Sequence, residues 1–173
     1  MKEFQIRTWS LEDAQALAQA ADNPNIARYL RNVFPNPYTL EDADWFIRDC
    51  IASAQKKQIS YAIVADKTAA GSICAAVKED VYEKSAELGY WLAEPYWGRG
   101  IMTSAVRQIC KEAFQAFDIV RIFAEPFADN AGSRRVLEKA GFTCEGTMRN
   151  AVYKNGEIHS CCMYSLLREE FSA

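Results

Sequence analysis

The sequence predicts an α/β fold, α+β in its finer class: a mixed, mostly antiparallel central sheet flanked by helices. Three observations predict it. Short strand-like runs follow one another directly in the middle and at the end of the chain, and hairpin connections make antiparallel neighbours. Amphipathic helical stretches separate the other runs, and such crossovers make parallel pairs. Lys154-Asn155-Gly156-Glu157 sits between the last two runs, and Asn-Gly flanked this way is the strongest short-range hairpin signal.

Phe4 to Trp9 alternates and is expected to be a strand. Ser10-Leu11-Glu12-Asp13 has capping-box spacing, with Asp in the closing place. It opens a helix that sets Leu11, Ala14, Leu17, Ala18 and Ala21 on one face, and Asn23-Pro24 ends it. A loop rich in proline and aromatics, RYLRNVFPNPYT, runs to a second cap at Thr39 to Asp42. In the helix that follows, Ala43, Phe46, Ile47, Cys50, Ile51 and Ala54 recur at helical spacing. Three strands come next: SYAIVAD, GSICAAVKE and ELGYWLA. A helix from about Ile101 to Phe117 turns Met102, Val106, Ile109, Cys110, Ala113 and Phe117 inward. VRIFAEPF is a strand, Asn130 to Ala140 a helix closed by Gly141, and two strands finish the chain. The order is βααβββαβαββ, and residues 1–173 are expected to form one domain.

Composition narrows the function classes. Half of the 173 residues are hydrophobic, enough for a real core. Twenty Lys and Arg against 23 Asp and Glu argue against a nucleic-acid partner, which needs clustered positive charge. No apolar stretch approaches the roughly 18 residues of a membrane span, and MKEFQIRTWS lacks a signal-peptide pattern. Cysteines at 50, 74, 110, 144, 161 and 162 show no C-x-x-C pair, and His159 is the only histidine. No metal site is expected, and reduced, mostly buried thiols in a cytoplasmic protein are.

The segment that carries chemistry is Tyr96-Trp97-Gly98-Arg99-Gly100-Ile101-Met102-Thr103, between a strand and an amphipathic helix. Glycines flanking a single residue let the backbone approach a ligand closely. The helix start adds unpaired N–H groups and a positive dipole end, which suits a diphosphate. The lysine of a Walker loop and the third glycine of a dinucleotide fingerprint are both missing.

These residues resemble the GNAT superfamily of N-acetyltransferases, in the branch similar to ribosomal-protein N-acetyltransferases of RimJ/RimL type. ELGYWLAEPYWGRGIMTSAV resembles its fourth strand and pyrophosphate loop, and ADNAGSRRVLEKAGF its Asn-x-x-Ser helix with a Gly-Phe ending. RTWSLEDA and PYTLEDADWFI resemble the amino-terminal part, GEIHSCCMYSLLREEF the last strand and tail. The loop departs from the family at Trp97, where Gln or Arg is usual, and at Met102, where Gly or Ala is.

The resemblance implies acetyl transfer from acetyl-coenzyme A to an amine, on a protein amino terminus or a small molecule. It implies that backbone N–H groups of Gly98, Arg99, Gly100, Ile101, Met102 and Thr103 hold the pyrophosphate. Main-chain groups of Trp91 and Leu92 would bind the pantetheine arm, one N–H polarising the thioester carbonyl. Asn130 and Ser133 would line the cofactor's other side. Glu87 is the candidate base, or else a structural charge on a strand edge. Ser133 is the candidate acid, or else a cap and cofactor contact, because Leu137 stands where many relatives carry tyrosine. Tyr153, Tyr164 and His159 are reserves, and the loop from Arg28 to Tyr38 covers the acceptor or else is packing alone. A homodimer is compatible with this assignment. The alternative is a catalytically silent acetyl-coenzyme A sensor or scaffold.

Overall fold

The computed structural model describes residues 4–54 and 57–171; residues 1–3, 55–56 and 172–173 lie outside that description. Strands are β1 (Phe4–Arg7), β2 (Gln58–Ala65), β3 (Thr68–Val77), β4 (Ser85–Leu92), β5 (Arg121–Ala124), β6 (Thr143–Lys154) and β7 (Glu157–Leu167). Helices are α1 (Ala14–Ala21), α2 (Pro24–Ala27), α3 (Leu40–Ser53), α4 (Ile101–Ala116) and α5 (Ala131–Ala140). One seven-stranded sheet has the order β1-β2-β3-β4-β5-β7-β6, and only the β4–β5 pair is parallel.

Local chemistry starts and stops these elements as expected. Ser10 Oγ accepts from the Glu12 amide at 3.3 Å, and Asp13 accepts from the Ser10 amide at 2.9 Å. Thr39 and Asp42 form the same reciprocal box ahead of α3. Asn155 (φ 52°) and Gly156 (φ 82°) are both left-handed at the β6–β7 turn, as a type I′ hairpin requires. Gly141 at φ 101° closes α5.

Several details differ from the sequence pattern. Leu11, expected on the apolar face of α1, lies in a 3-10 turn ahead of it and is exposed, and β1 ends at Arg7 instead of Trp9. Asn23 ends α1 and also caps α2, its Oδ1 taking the Asn25 amide at 2.8 Å with Pro24 in the first turn. β5 stops at Ala124, ahead of Pro126, which has no N–H for a ladder; Phe127 keeps only an isolated bridge to Cys161. Ile51 lies on the exposed side of the last turn of α3, and Ala54 falls outside that helix.

Alternation along the strands divides the core in two. Ala62 and Val64 join Leu17, Ala43 and Ile47 beneath α1 and α3. Ile63, Ile73, Leu88 and Ile122 join Val106, Ile109 and Leu137 beneath α4 and α5. The sheet is thus covered on both faces. All six cysteines are free, four of them buried.

At Gly71 of β3, opposite Leu92, a Cβ would stand 2.4 Å from the Trp91 carbonyl oxygen and 3.1 Å from Leu92 Cα. Gly71→Ala is therefore expected to destabilise the fold by about 1–3 kcal/mol, the scale of overpacking, and to displace β4 at Leu92. Denaturant unfolding checks it; an unchanged midpoint would show that the two strands tolerate the extra carbon.

Candidate active site

A parting of two parallel strands builds the site. β4 and β5 pair only over Ser85–Glu87 and Arg121–Phe123. The Ala93 amide donates to Ala70 O at 2.7 Å and the Lys78 amide to Ser85 O at 2.9 Å, so odd-numbered residues of β4 turn their main-chain groups to β3. Tyr90 and Leu92, even-numbered and past the pairing, turn theirs toward β5 and find no strand partner there among the described residues. The Leu92 carbonyl takes the Trp97 indole N–H at 2.6 Å, which leaves the Tyr90 and Leu92 N–H groups facing the gap. Trp91 has the opposite parity: its main-chain groups lie in the β3 ladder, and its ring meets Phe34 at 5.8 Å.

The glycine loop lies beyond the end of β4. Gly98 (φ 71°) and Gly100 (φ 78°) are both left-handed, and Gly100 is the residue that caps α4. A Cβ at either would meet no protein atom within 4 Å. Ile101 and Met102 bury their side chains in the core, so these two positions offer only backbone on the open side. No side chain caps α4, and its first N–H groups carry the positive end of the helix dipole. This donor set suits a diphosphate, as the sequence pattern implies. Arg99 lies over the Tyr96 ring at 5.4 Å.

Across the gap stands α5. The Asn130 side chain accepts from the Ser133 amide at 3.1 Å, which fixes the first turn. The Tyr90 hydroxyl donates to Ser133 O at 3.2 Å and lies 2.9 Å from Ser133 Oγ. Burial pushes the Tyr90 phenol well above its ordinary range, so it remains a donor at neutral pH. Tyr90 was not among the residues singled out by sequence. Its even parity on β4 was the available signal, because it shares a face with Leu88 and Leu92.

Glu87, on the other face of β4, ends the paired stretch. Its carboxylate is only 19% exposed; one oxygen bonds to Arg31 and the other to Lys78 at 3.1 Å. Arg31 belongs to the segment between α2 and α3, which folds over this face through Phe34, against Tyr38 at 4.9 Å and Trp91 at 5.8 Å. Nearby Cys74, opposite Gly89, is pushed up to about 12 chiefly by burial, so it is not a thiolate nucleophile at neutral pH.

The reserve residues fall elsewhere. Tyr164 is wholly buried, donating to Glu138 at 2.8 Å and accepting from Arg134 at 3.2 Å. Tyr153 is exposed on β6, and Leu137 fills the core. His159 packs on Phe127, ring centroids 5.4 Å apart, with Glu157 at 3.9 Å. Among the described residues no cluster of three His, Cys, Asp or Glu could hold a metal ion, and no helix is long and apolar enough to cross a membrane.

A sheet that opens beside a glycine-bounded helix start defines a class of acyl-transfer folds, and the comparisons agree. The chain belongs to the GNAT acetyltransferase family: the profile described as "Acetyltransferase (GNAT) domain" matches residues 3–143. It is 36% identical over 104 residues to the "Putative ribosomal N-acetyltransferase YdaF" of Bacillus subtilis, a match spanning 58% of this chain and 57% of that protein. It is 30% identical over 82 residues to the ribosomal-protein-serine acetyltransferase of Escherichia coli, 47% of this chain and 46% of that one. The match to each of these curated relatives thus spans only about half of their length. Among solved structures, a ribosomal L7/L12 alpha-N-protein acetyltransferase in complex with coenzyme A superposes with a TM-score of 0.84 at 26% identity, over 95% of this chain and 93% of that one.

Proposed function

We propose that this chain, as one domain over residues 1–173, transfers acetyl from acetyl-coenzyme A directly to the α-amine of a protein, in the cytoplasm. The observation that carries the proposal is the gap between β4 and β5 opening beside Gly98–Thr103. The loop amides bind the pyrophosphate, and the freed N–H groups of Tyr90 and Leu92 face the pantetheine arm and the thioester oxygen. Asn130 and Ser133 close the other side. Glu87 takes the amine's proton, and Ser133 donates to the departing sulfur. Direct attack is favoured because Cys74, beside Glu87, is held as a thiol by burial.

A protein acceptor is supported by relatives that acetylate ribosomal proteins.

The test is steady-state acetylation of peptides with free α-amines, both substrates varied. Ser133→Ala and Tyr90→Phe are each expected to lower kcat by ~10–100-fold with the KM for acetyl-coenzyme A nearly unchanged, because the bond to sulfur strengthens as charge develops. A raised KM with kcat intact would make Ser133 a cofactor contact. Binding of acetyl-coenzyme A without transfer to any amine would indicate a silent sensor instead.

A further inference from the structure

Lys154 sits at the β6–β7 hairpin, where a charged residue is ordinarily solvated, yet it is only 7% exposed. Among the described residues its side chain has no hydrogen bond or ion pair. Its strand partner Glu157 is turned to solvent near His159. The stem is packed away while the ammonium keeps contact with solvent, and partial burial lowers its pKa.

The side chain lines a cavity of about 300 Å³ between α2, the covering segment and the hairpin. Arg28, Asn25, Asn36 and Asn155 line it too, and no carboxylate does. Glu94, which borders α2, is occupied by the side-chain amides of Asn23 and Asn25 at 2.7 and 3.1 Å. The cavity is therefore positive, and the Lys154 ammonium that lines it has no anionic partner among the described residues.

It also adjoins the acceptor side. Arg28 precedes Arg31, the Glu87 partner, by one turn of the same segment. Tyr29 meets Phe127 edge-on at 6.0 Å, and Phe127 stacks on His159 of the hairpin. These ring contacts run from the segment after α2 to the hairpin that carries Lys154.

We propose that this cavity is a subsite for an acidic side chain of the acceptor polypeptide, with Lys154 and Arg28 as its cations. The inference rests on the protein-acceptor function proposed above and names its substrate class: amino termini with Asp or Glu shortly after the reacting residue. The second to fifth positions span roughly 3–13 Å of extended chain from the reacting residue, and the experiment reads which of them the subsite takes. Lys154 is a specificity residue and takes no part in the chemistry.

The experiment is equilibrium binding of peptides labelled at the carboxyl end, with a free α-amine, in saturating coenzyme A. One set carries Asp or Glu at the second to fifth position, the other Asn or Gln. The wild type is expected to bind acidic peptides about tenfold more tightly, as a charge-assisted bond allows. Lys154→Met should abolish that ratio and Lys154→Arg restore most of it, with affinity for coenzyme A unchanged. Should Lys154→Met fail to fold, Arg28→Gln is read for the same ratio and should lower it. Equal binding of the two sets by wild type, no binding of either, or a preference that survives Lys154→Met overturns the proposal. So does a variant that loses coenzyme A along with both peptides, which would assign the cavity to the cofactor. Acetyl transfer is scored separately by thiol release. Transfer without acid preference sinks the subsite and leaves the function standing, and acid preference without transfer does the reverse.

Discussion

Gly100→Val is expected to weaken acetyl-coenzyme A binding by about a hundredfold or more while the chain still folds. Gly100 caps α4 at φ 78°, a conformation that valine avoids. Valine would turn that peptide and swing the amides at the start of α4 away from the diphosphate. Losing two charge-assisted bonds is worth ~3 kcal/mol or more, hence the hundredfold. The protein itself does not forbid the side chain, because a Cβ at this position stands in open space. The folding cost is then conformational alone, about 1–3 kcal/mol, and Gly100→Ala should lose less on both counts. Calorimetry with acetyl-coenzyme A, beside a thermal melt, checks it. A folded variant with unchanged affinity would remove the diphosphate from this loop.

Glu87→Gln is expected to lower turnover by roughly a hundredfold, the usual contribution of a positioned base, with acetyl-coenzyme A affinity intact. Loss of the base should bite hardest at low pH and ease as pH approaches the amine's own pKa, about 8 for an α-amine. The ion pairs complicate the assignment in a way that a second variant resolves. If Glu87 only anchors the covering segment through Arg31, then Arg31→Met should reproduce the whole loss. If Glu87 moves a proton, Arg31→Met should raise the acceptor's KM and spare kcat. Arg31 is exposed, so Arg31→Met should cost little stability. Normal turnover with a normal pH profile in Glu87→Gln would leave Glu87 a structural charge.

What the sequence showed well was what short-range chemistry decides. Ser10 with Asp13, Thr39 with Asp42, Asn155-Gly156 and Gly141 each act within a few residues, and each is found as the pattern requires. The glycine loop belongs to the same class, since left-handed backbone before a helix is written in the glycines themselves. The site's long-range contacts were not legible. Arg31 reaches Glu87 across 56 residues, and Tyr90 reaches Ser133 across 43. No spacing rule links such positions; the parting of β4 and β5 does. Trp91 and Leu92 look interchangeable as neighbours, and only the register with β3 decides which of them faces the gap. Gly71 read as an ordinary strand residue because its constraint is the backbone of another strand. The burial of Lys154 was not legible either, because it comes from α2 and the segment after it, far away in sequence.

The most direct measurement of the central claim is thiol release from acetyl-coenzyme A by the wild-type chain, with and without a peptide bearing a free α-amine, followed by mass analysis of the peptide. The account predicts release that depends on the peptide, matches its acetylation mole for mole, and leaves the acetyl on the α-amine with no acetylated enzyme detected. Release that ignores the peptide, or acetyl found on the enzyme instead, would contradict direct transfer from the cleft between β4 and β5.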